Sequence, residues 1–229
     1  KFCSSKGILP GDPMCEVLRR VEMLGERNKM KAIAFWYSIG STYTYLTVMR
    51  LLEYAKENGV DFDWRPFNVR TIMVEQKNIP FKDKPVKSDY MWRDIGRRTE
   101  MYGLTASLPA PYPLEELALA NQIALLGRQE GWGQDYTVET YRLWFEEGHL
   151  AGSEPNVSES LKRIGQDADR VLEKAQSFEI ADGLAAETDV ARDMGVFGSP
   201  TFVVNEEVFW GDDRLDDAVS WCKYGRIAR

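Results

Sequence analysis

Residues 32–45 read Ala-Ile-Ala-Phe-Trp-Tyr-Ser-Ile-Gly-Ser-Thr-Tyr-Thr-Tyr. The first six are continuously apolar, which is typical of a strand buried on both faces of a partly parallel sheet. Ser38 to Ser41 ends that run, and from Thr42 to Asn58 the apolar residues recur at helical spacing. Residues 60–65 then alternate apolar with charged side chains, as a half-buried strand does. The segment therefore predicts a β-α-β unit with a right-handed crossover.

The middle of the chain is predicted to be helical. Residues 68–87 contain two prolines and four lysines, which predicts a long loop. Helical periodicity follows in six segments, 88–102, 114–130, 134–147, 158–164, 168–176 and 178–194. Because no strand pattern lies between them, residues 68–194 are predicted to form an inserted helical subdomain.

The sheet pattern returns near the C-terminus. Residues 200–204 and 207–210 are strand-like, and Asn205-Glu206 between them predicts a hairpin. A last helix is expected to begin at Asp212-Asp213, where acids favour a helix start. The order β-α-β, helices, β-β-α is the thioredoxin arrangement. We therefore predict an α/β, thioredoxin-like fold with the helical subdomain between its βαβ half (30–67) and its ββα half (195–222).

Charge and composition exclude several classes of protein. The net charge of −7 argues against a nucleic-acid partner, because binding to phosphates needs a basic face. The sequence has no apolar run near the roughly 20 residues that span a bilayer, so no membrane association is expected. Three scattered cysteines, Cys3, Cys15 and Cys222, predict neither a disulfide framework nor a zinc site. A reducing, cytoplasmic location is expected.

The first residues differ in composition from the rest. Residues 1–29 are rich in glycine, proline and charged side chains, and Met30 immediately precedes the first strand. We expect them to form a peripheral N-terminal extension to a domain that spans residues 30–222.

The turn after the first strand is the first place where chemistry is expected. Thioredoxin-like proteins carry C-x-x-C there, at a helix N-terminus that stabilises a thiolate. Here the turn is Ser41-Thr-Tyr-Thr44 and holds no sulfur, which excludes disulfide exchange at this place. Ser41 has two interpretations, as the N-cap of the helix or as a hydroxyl donor to the thiolate of a bound thiol. One hydroxyl has the donor and the acceptors for both.

Ser199-Pro200 is the second such place. A proline is tolerated at the start of a strand, because its missing N–H lies outside the ladder. In thioredoxin-like folds the peptide bond at this position is cis, and the backbone of the preceding residue pairs with a peptide-like ligand. We therefore expect a cis Ser199–Pro200 bond beside the first helix.

Three segments carry a more specific resemblance. Phe35–Leu46, Gly195–Thr201 and Phe209–Leu215 resemble the corresponding segments of 2-hydroxychromene-2-carboxylate isomerases and kappa-class glutathione transferases. The resemblance covers residues 31 to about 222. The chain has threonine at 42 and 44, where that family usually has proline and serine, and an acid at 212, where a small or amide residue is commoner.

The resemblance implies that glutathione is the cofactor and that Ser41 stabilises its thiolate. Lys87 would meet the glycyl carboxylate and Asp213 the γ-glutamyl ammonium. The full set of implied cofactor contacts comes from one loop and the two C-terminal segments: Asn78, Lys87, Ser199, Pro200, Asp212 and Asp213. Each has a simpler explanation as well, since loop lysines are solvated, asparagine favours turns, and aspartates favour helix starts.

The function that the resemblance implies is isomerisation of 2-hydroxychromene-2-carboxylate, or a related intermediate of aromatic catabolism. The thiolate would add reversibly to a conjugated bond, the resulting single bond would rotate, and the thiol would leave. The expected partner is a small aromatic carboxylate. A homodimer is a further possibility that the sequence leaves open. Two alternatives are a kappa-type glutathione transferase and a thioredoxin-like binding module without catalysis.

Overall fold

The computed structural model describes residues 32–79, 81 and 83–228. The expected peripheral extension, residues 1–29, lies outside this described part.

A four-stranded sheet lies at the centre of the fold, in the order β2-β1-β3-β4. The neighbours β1 and β2 are parallel, whereas β3 is antiparallel to both β1 and β4. Phe35 of β1 lies opposite Trp64 on one side and Phe202 on the other. The strands are β1 (Ile33–Tyr37), β2 (Phe62–Pro66), β3 (Thr201–Val204) and β4 (Glu207–Trp210).

Helices fill the segments that the periodicity predicts. The six middle segments appear as α3 to α8, with each end shifted by at most three residues from its predicted position. The element order confirms the predicted α/β, thioredoxin-like fold. The helices are α1 (Thr44–Asn58), α2 (Val69–Glu75), α3 (Pro85–Tyr102), α4 (Leu117–Glu130), α5 (Gly133–Phe145), α6 (Asn156–Arg163), α7 (Ala168–Ala175), α8 (Phe178–Asp193) and α9 (Leu215–Tyr224), with a 3₁₀ turn at Asp212–Arg214.

The prediction of a continuous loop over residues 68–87 is wrong, because α2 forms at its start. The Asn68 side chain caps this helix by accepting hydrogen bonds from the backbone N–H groups of Arg70 (3.1 Å) and Thr71 (3.4 Å). Val69 and Ile72 are buried on its inner side. A capping side chain and two buried contacts thus stabilise a helix too short to show periodicity.

Both faces of the sheet are covered at its central strands, β1 and β3. Successive strand residues point to opposite faces. Phe35 and Phe202 belong to the large core beneath α1, α4 and α5, whereas Trp36 and Val203 belong to a smaller core that includes the residues of α2. The apolar run of β1 therefore fills two cores, as its composition predicts.

We expect Phe202→Ala to lower the free energy of unfolding by about 3–5 kcal/mol, because a buried aromatic side chain would leave a cavity. Phe202 is fully buried and stacks on Phe35 with ring centres 5.5 Å apart. The matched control is Phe178→Ala, since that ring is 91% exposed and its loss should change stability by less than about 0.5 kcal/mol. Urea denaturation with an unchanged m-value measures both, and equal midpoints would contradict the packing described.

Candidate active site

The chain between β1 and α1 turns tightly at residues 38–41. The Ser41 N–H donates to the Ser38 carbonyl at 3.1 Å, and Gly40 adopts a φ of 129°, which disfavours any residue with a Cβ. Helix α1 begins at Thr44, and Tyr43 occupies the N-cap position. The interpretation of Ser41 as the N-cap of this helix is therefore wrong.

The Ser41 hydroxyl instead bonds across to the hairpin. It donates to the Ser199 carbonyl at 2.7 Å. The Ser199 hydroxyl in turn accepts from the Ser38 N–H at 2.9 Å and lies 2.8 Å from the Thr44 hydroxyl. The Ser199–Pro200 bond is cis, which confirms that prediction. Two places that are distant in sequence thus form one polar cluster.

The start of α1 adds an electrostatic component to this cluster. The first turn of the helix carries no acidic side chain. The helix dipole therefore places a partial positive charge at this end of α1, near Ser41, and no carboxylate of the first turn offsets it. Ser41 itself is half-buried. A hydroxyl donor beside a helix N-terminus is suited to stabilising a thiolate.

Asp212 lies in a buried network behind the hairpin. Its carboxylate is 3% exposed and accepts hydrogen bonds from the Thr47 hydroxyl (2.8 Å), the Arg50 guanidinium (2.9 Å) and the Tyr102 hydroxyl (3.0 Å). Burial, followed by the charge of Asp212, raises the pKa of Tyr102 and keeps it a neutral donor. The Asp212 carboxylate is therefore held by three side chains, and no pattern in the sequence reveals these partners.

Asp213 points to solvent from the same 3₁₀ turn. Its side chain is 45% exposed and accepts a hydrogen bond from Arg214 at 3.1 Å. Gly211, two residues before Asp213, donates its N–H to the Pro200 carbonyl at 2.9 Å. That bond holds the turn carrying Asp213 against the Ser199-Pro200 segment.

Asn78 and Lys87 lie on the exposed stretch between α2 and the first turn of α3. The Asn78 N–H donates to the Met73 carbonyl at 2.9 Å, and its side chain is exposed. The Lys87 ammonium lies 5.6 Å from the centre of the Phe81 ring. Within the described part of the chain, neither side chain hydrogen bonds to the serine cluster.

An ionic group on α3 lies next to the turn. The Tyr43 hydroxyl donates to Asp94 at 3.1 Å, and the same carboxylate accepts from Arg97 (3.1 Å) and Arg98 (3.2 Å). Burial opposes ionisation of Asp94, but the hydrogen bonds from the arginines and Tyr43 outweigh it and lower its pKa. The single carboxylate of Asp94 thus offsets one of the two positive charges of Arg97 and Arg98.

Two exposed aromatic rings pack against each other beside the segment that precedes Ser199. The rings of Phe197 and Trp210 are 41% and 54% exposed, with centres 4.9 Å apart. A Cβ added at Gly198 would lie 2.3 Å from the indole nitrogen of Trp210. Glycine is therefore required at 198 for the indole to lie against the backbone.

Asn121 of α4 and Tyr141 of α5 also bond to the turn, and sequence reasoning missed both. The signal that points to Asn121 is its position four residues from both Leu117 and Leu125, which places its amide on an apolar face of Leu117–Glu130. Tyr141 carries no such signal, because tyrosine is ordinary in an apolar helix face.

The geometry agrees with the comparison to known families. The model of the DSBA-like thioredoxin domain matches residues 32–221. The chain belongs to this family. Its sequence is 26% identical over 193 residues to a 2-hydroxychromene-2-carboxylate isomerase of Sphingobium xenophagum, covering 81% of this chain and 95% of the relative. It is 22% identical over 200 residues to glutathione S-transferase kappa 2 of Caenorhabditis elegans, covering 81% and 88%.

A solved structure supports the same fold. That of a 2-hydroxychromene-2-carboxylate isomerase superposes with a TM-score of 0.72 at 23% identity, covering 81% of this chain and 91% of that chain. Within the described ranges, no helix is long and apolar enough to cross a membrane, and no group of histidine, cysteine or acidic side chains has the arrangement of a metal site.

We expect Asp212→Ala and Asp213→Ala to differ in stability although the residues are adjacent. Removing one partner of a buried ion pair leaves the other charge uncompensated, so Asp212→Ala should cost about 3 kcal/mol. Asp213→Ala removes an exposed carboxylate and should change stability by less than about 0.5 kcal/mol. Thermal and urea denaturation of the two variants test this, and equal losses would contradict the network around Asp212.

Proposed function

We propose that the chain is a glutathione-dependent isomerase of 2-hydroxychromene-2-carboxylate or a related intermediate of aromatic catabolism. The observation that carries the proposal is the Ser41 hydroxyl at the start of α1, bonded to the Ser199 carbonyl beside a cis proline. The similarity to the isomerase of Sphingobium xenophagum, which extends over 95% of that relative, supports the reaction type. A small aromatic carboxylate is the proposed substrate, and the cytoplasm is the proposed location.

The chemistry of the exposed groups fits glutathione. This tripeptide carries two carboxylates, an ammonium and a thiol. The chain offers the ammonium of Lys87, the carboxylate of Asp213 and the hydroxyl of Ser41, all of them exposed or half-buried. Asp213 is proposed for the glutathione ammonium in place of Asp212, whose oxygens already accept three protein hydrogen bonds. Asn78 completes the proposed set.

Ser199 would serve the cofactor through its backbone. Glutathione, when bound, supplies a thiolate that can add to a conjugated bond and leave again. Ser41 has one hydroxyl proton to donate, and in this structure it donates it in a hydrogen bond to the Ser199 carbonyl. Rotation of the O–H about the Cβ–Oγ bond would direct the proton to the sulfur and free a carbonyl lone pair for an amide N–H of the ligand. Pro200 would then act by shaping the segment and not by bonding.

A kappa-type glutathione transferase is the second candidate, because one curated relative is named as such. The two activities differ in what happens to the thiol. An isomerase returns glutathione unchanged, whereas a transferase consumes it in a stable adduct with an electrophile.

The test is a spectrophotometric assay of the chromene carboxylate with purified protein and catalytic amounts of glutathione. Conversion of many substrate molecules per glutathione, and none without thiol, is expected. Loss of glutathione in step with product would favour the transferase. The absence of both conversion and thiolate absorbance from bound glutathione would favour a binding module and reject the proposal.

We expect Ser41→Ala to raise the thiolate pKa of bound glutathione by about one unit, because a directed hydrogen bond to the charged form is lost. Well below that pKa the thiolate fraction then falls about tenfold, and turnover falls with it. Higher pH should restore part of the rate. Titration of thiolate absorbance and the pH profile of turnover measure these changes.

Thr42→Val is the matched control for this substitution. The Thr42 hydroxyl donates to the Met91 sulfur at 2.9 Å and not to the cluster at Ser199. The control should keep the wild-type thiolate pKa. The same pKa and rate in Ser41→Ala as in the wild type would reject the role proposed for Ser41.

We expect no dithiol–disulfide exchange activity, because the turn at residues 41–44 has no sulfur. Insulin reduction in dithiothreitol should proceed at the same rate with and without the protein. A DSBA-like relative that carries the C-x-x-C motif serves as the positive control. A clear acceleration by this chain would place its active site elsewhere.

A further inference from the structure

The backbone that follows β1 is still buried where it leaves the sheet. Ser38 and Ile39 are fully buried, so their N–H and C=O groups need protein partners. Hairpin residue Ser199 supplies one of these through its hydroxyl, which accepts from Ser38. The Ser38 carbonyl accepts from the Ser41 N–H within the turn, and the further partners come from the helical subdomain.

Asn121 pairs with Ile39 in both directions. Its side-chain carbonyl accepts from the Ile39 N–H at 2.8 Å, and its amide donates to the Ile39 carbonyl at 2.9 Å. The second amide hydrogen donates to the Leu117 carbonyl at 2.8 Å, one helical turn back along α4. A fully buried asparagine whose groups are used in this way has one orientation. It therefore fixes Ile39 relative to α4.

Tyr141 holds the two ends of the same turn. Its hydroxyl lies 3.2 Å from the Ser38 carbonyl and 3.0 Å from the Ser41 carbonyl, so one proton is shared between them. The ring is fully buried and stacks on Trp144 with centres 5.6 Å apart. Burial raises the pKa of Tyr141, which keeps the hydroxyl a neutral donor.

We propose that Asn121 and Tyr141 are positioning residues that set the position of Ser41 by fixing the backbone of residues 38–41. This inference rests on the proposed function, since it concerns the hydroxyl that would meet the thiolate. The turn lies between the Ser199 segment on one side and α4 and α5 on the other. Loss of the contacts from α4 or α5 would let Ser41 move away from the position from which its hydroxyl can bond to the thiolate.

The decisive variant is Tyr141→Phe, which removes only the shared donor and keeps the stacked ring. Its matched control is Tyr136→Phe on the same helix, because the Tyr136 hydroxyl is buried yet bonds to no residue of the turn. We expect Tyr141→Phe to raise the thiolate pKa of bound glutathione by about half a unit, a threefold lower thiolate fraction at neutral pH. Tyr136→Phe should leave that pKa unchanged.

A double variant separates positioning from a general structural role. If Tyr141 acts through Ser41, adding Tyr141→Phe to Ser41→Ala should shift the thiolate pKa no further. Additive shifts, or no shift in Tyr141→Phe while Ser41→Ala shows one, would overturn the inference. Asn121→Leu should likewise shift the thiolate pKa on its own and shift it no further when Ser41→Ala is present. If Asn121→Leu does not fold, the comparison of Tyr141→Phe with Tyr136→Phe decides.

Amide hydrogen exchange of the protein without glutathione provides a second, independent readout. The amides of Ile39 and Ser41 should exchange at least about tenfold faster in Asn121→Leu or Tyr141→Phe than in Tyr136→Phe. Unchanged exchange in both variants would show that the two residues do not hold the turn. If the variants exchange faster but the wild-type protein does not lower the thiolate pKa of glutathione, the proposed function is rejected, whereas the role of Asn121 and Tyr141 in holding the turn stands.

Discussion

Polar backbone groups that leave a sheet inside a protein must find new partners, and in this chain that constraint falls on the turn at residues 38–41, between β1 and α1. Their partners come from Ser199, Asn121 and Tyr141, which belong to three separate parts of the sequence. The hairpin and the helical subdomain therefore meet at the turn that carries Ser41. Each hydrogen bond contributes only about 1 kcal/mol in net terms, but a missing partner for a buried group would cost more.

The same arrangement explains why the helical subdomain is more than a cover for the sheet. Helices α4 and α5 pack against each other, and α5 also packs against α1. The hydroxyl of Tyr37, at the end of β1, bonds to Thr137 of α5 at 3.0 Å. The inserted helices thus reach the strand, the turn and the helix that together form the candidate site.

The sequence predicts the elements of this fold well, because each has a local pattern. The apolar run of β1, the hairpin at the C-terminus and the six helical segments are all visible as periodicities. Helix α2 was missed because only seven residues form it and its stability comes from burial of Val69 and Ile72. The site was harder to predict, because Ser41 bonds to a carbonyl 158 residues away and Asp212 to Arg50 across 162. No pattern along the chain reports such pairs, so the capping interpretation of Ser41 failed and the buried network stayed hidden.

The indole of Trp210 gives this region an optical property of its own. Trp36 and Trp144 are fully buried and therefore emit from apolar surroundings, whereas Trp210 is 54% exposed. Its ring lies against Gly198, next to the segment where Ser199 meets Ser41. Trp210 is the most exposed of the seven tryptophans, so it contributes long-wavelength emission from beside the site, and a molecule that shields or displaces the indole would shift that contribution. The chain carries a native reporter of occupancy that needs no label.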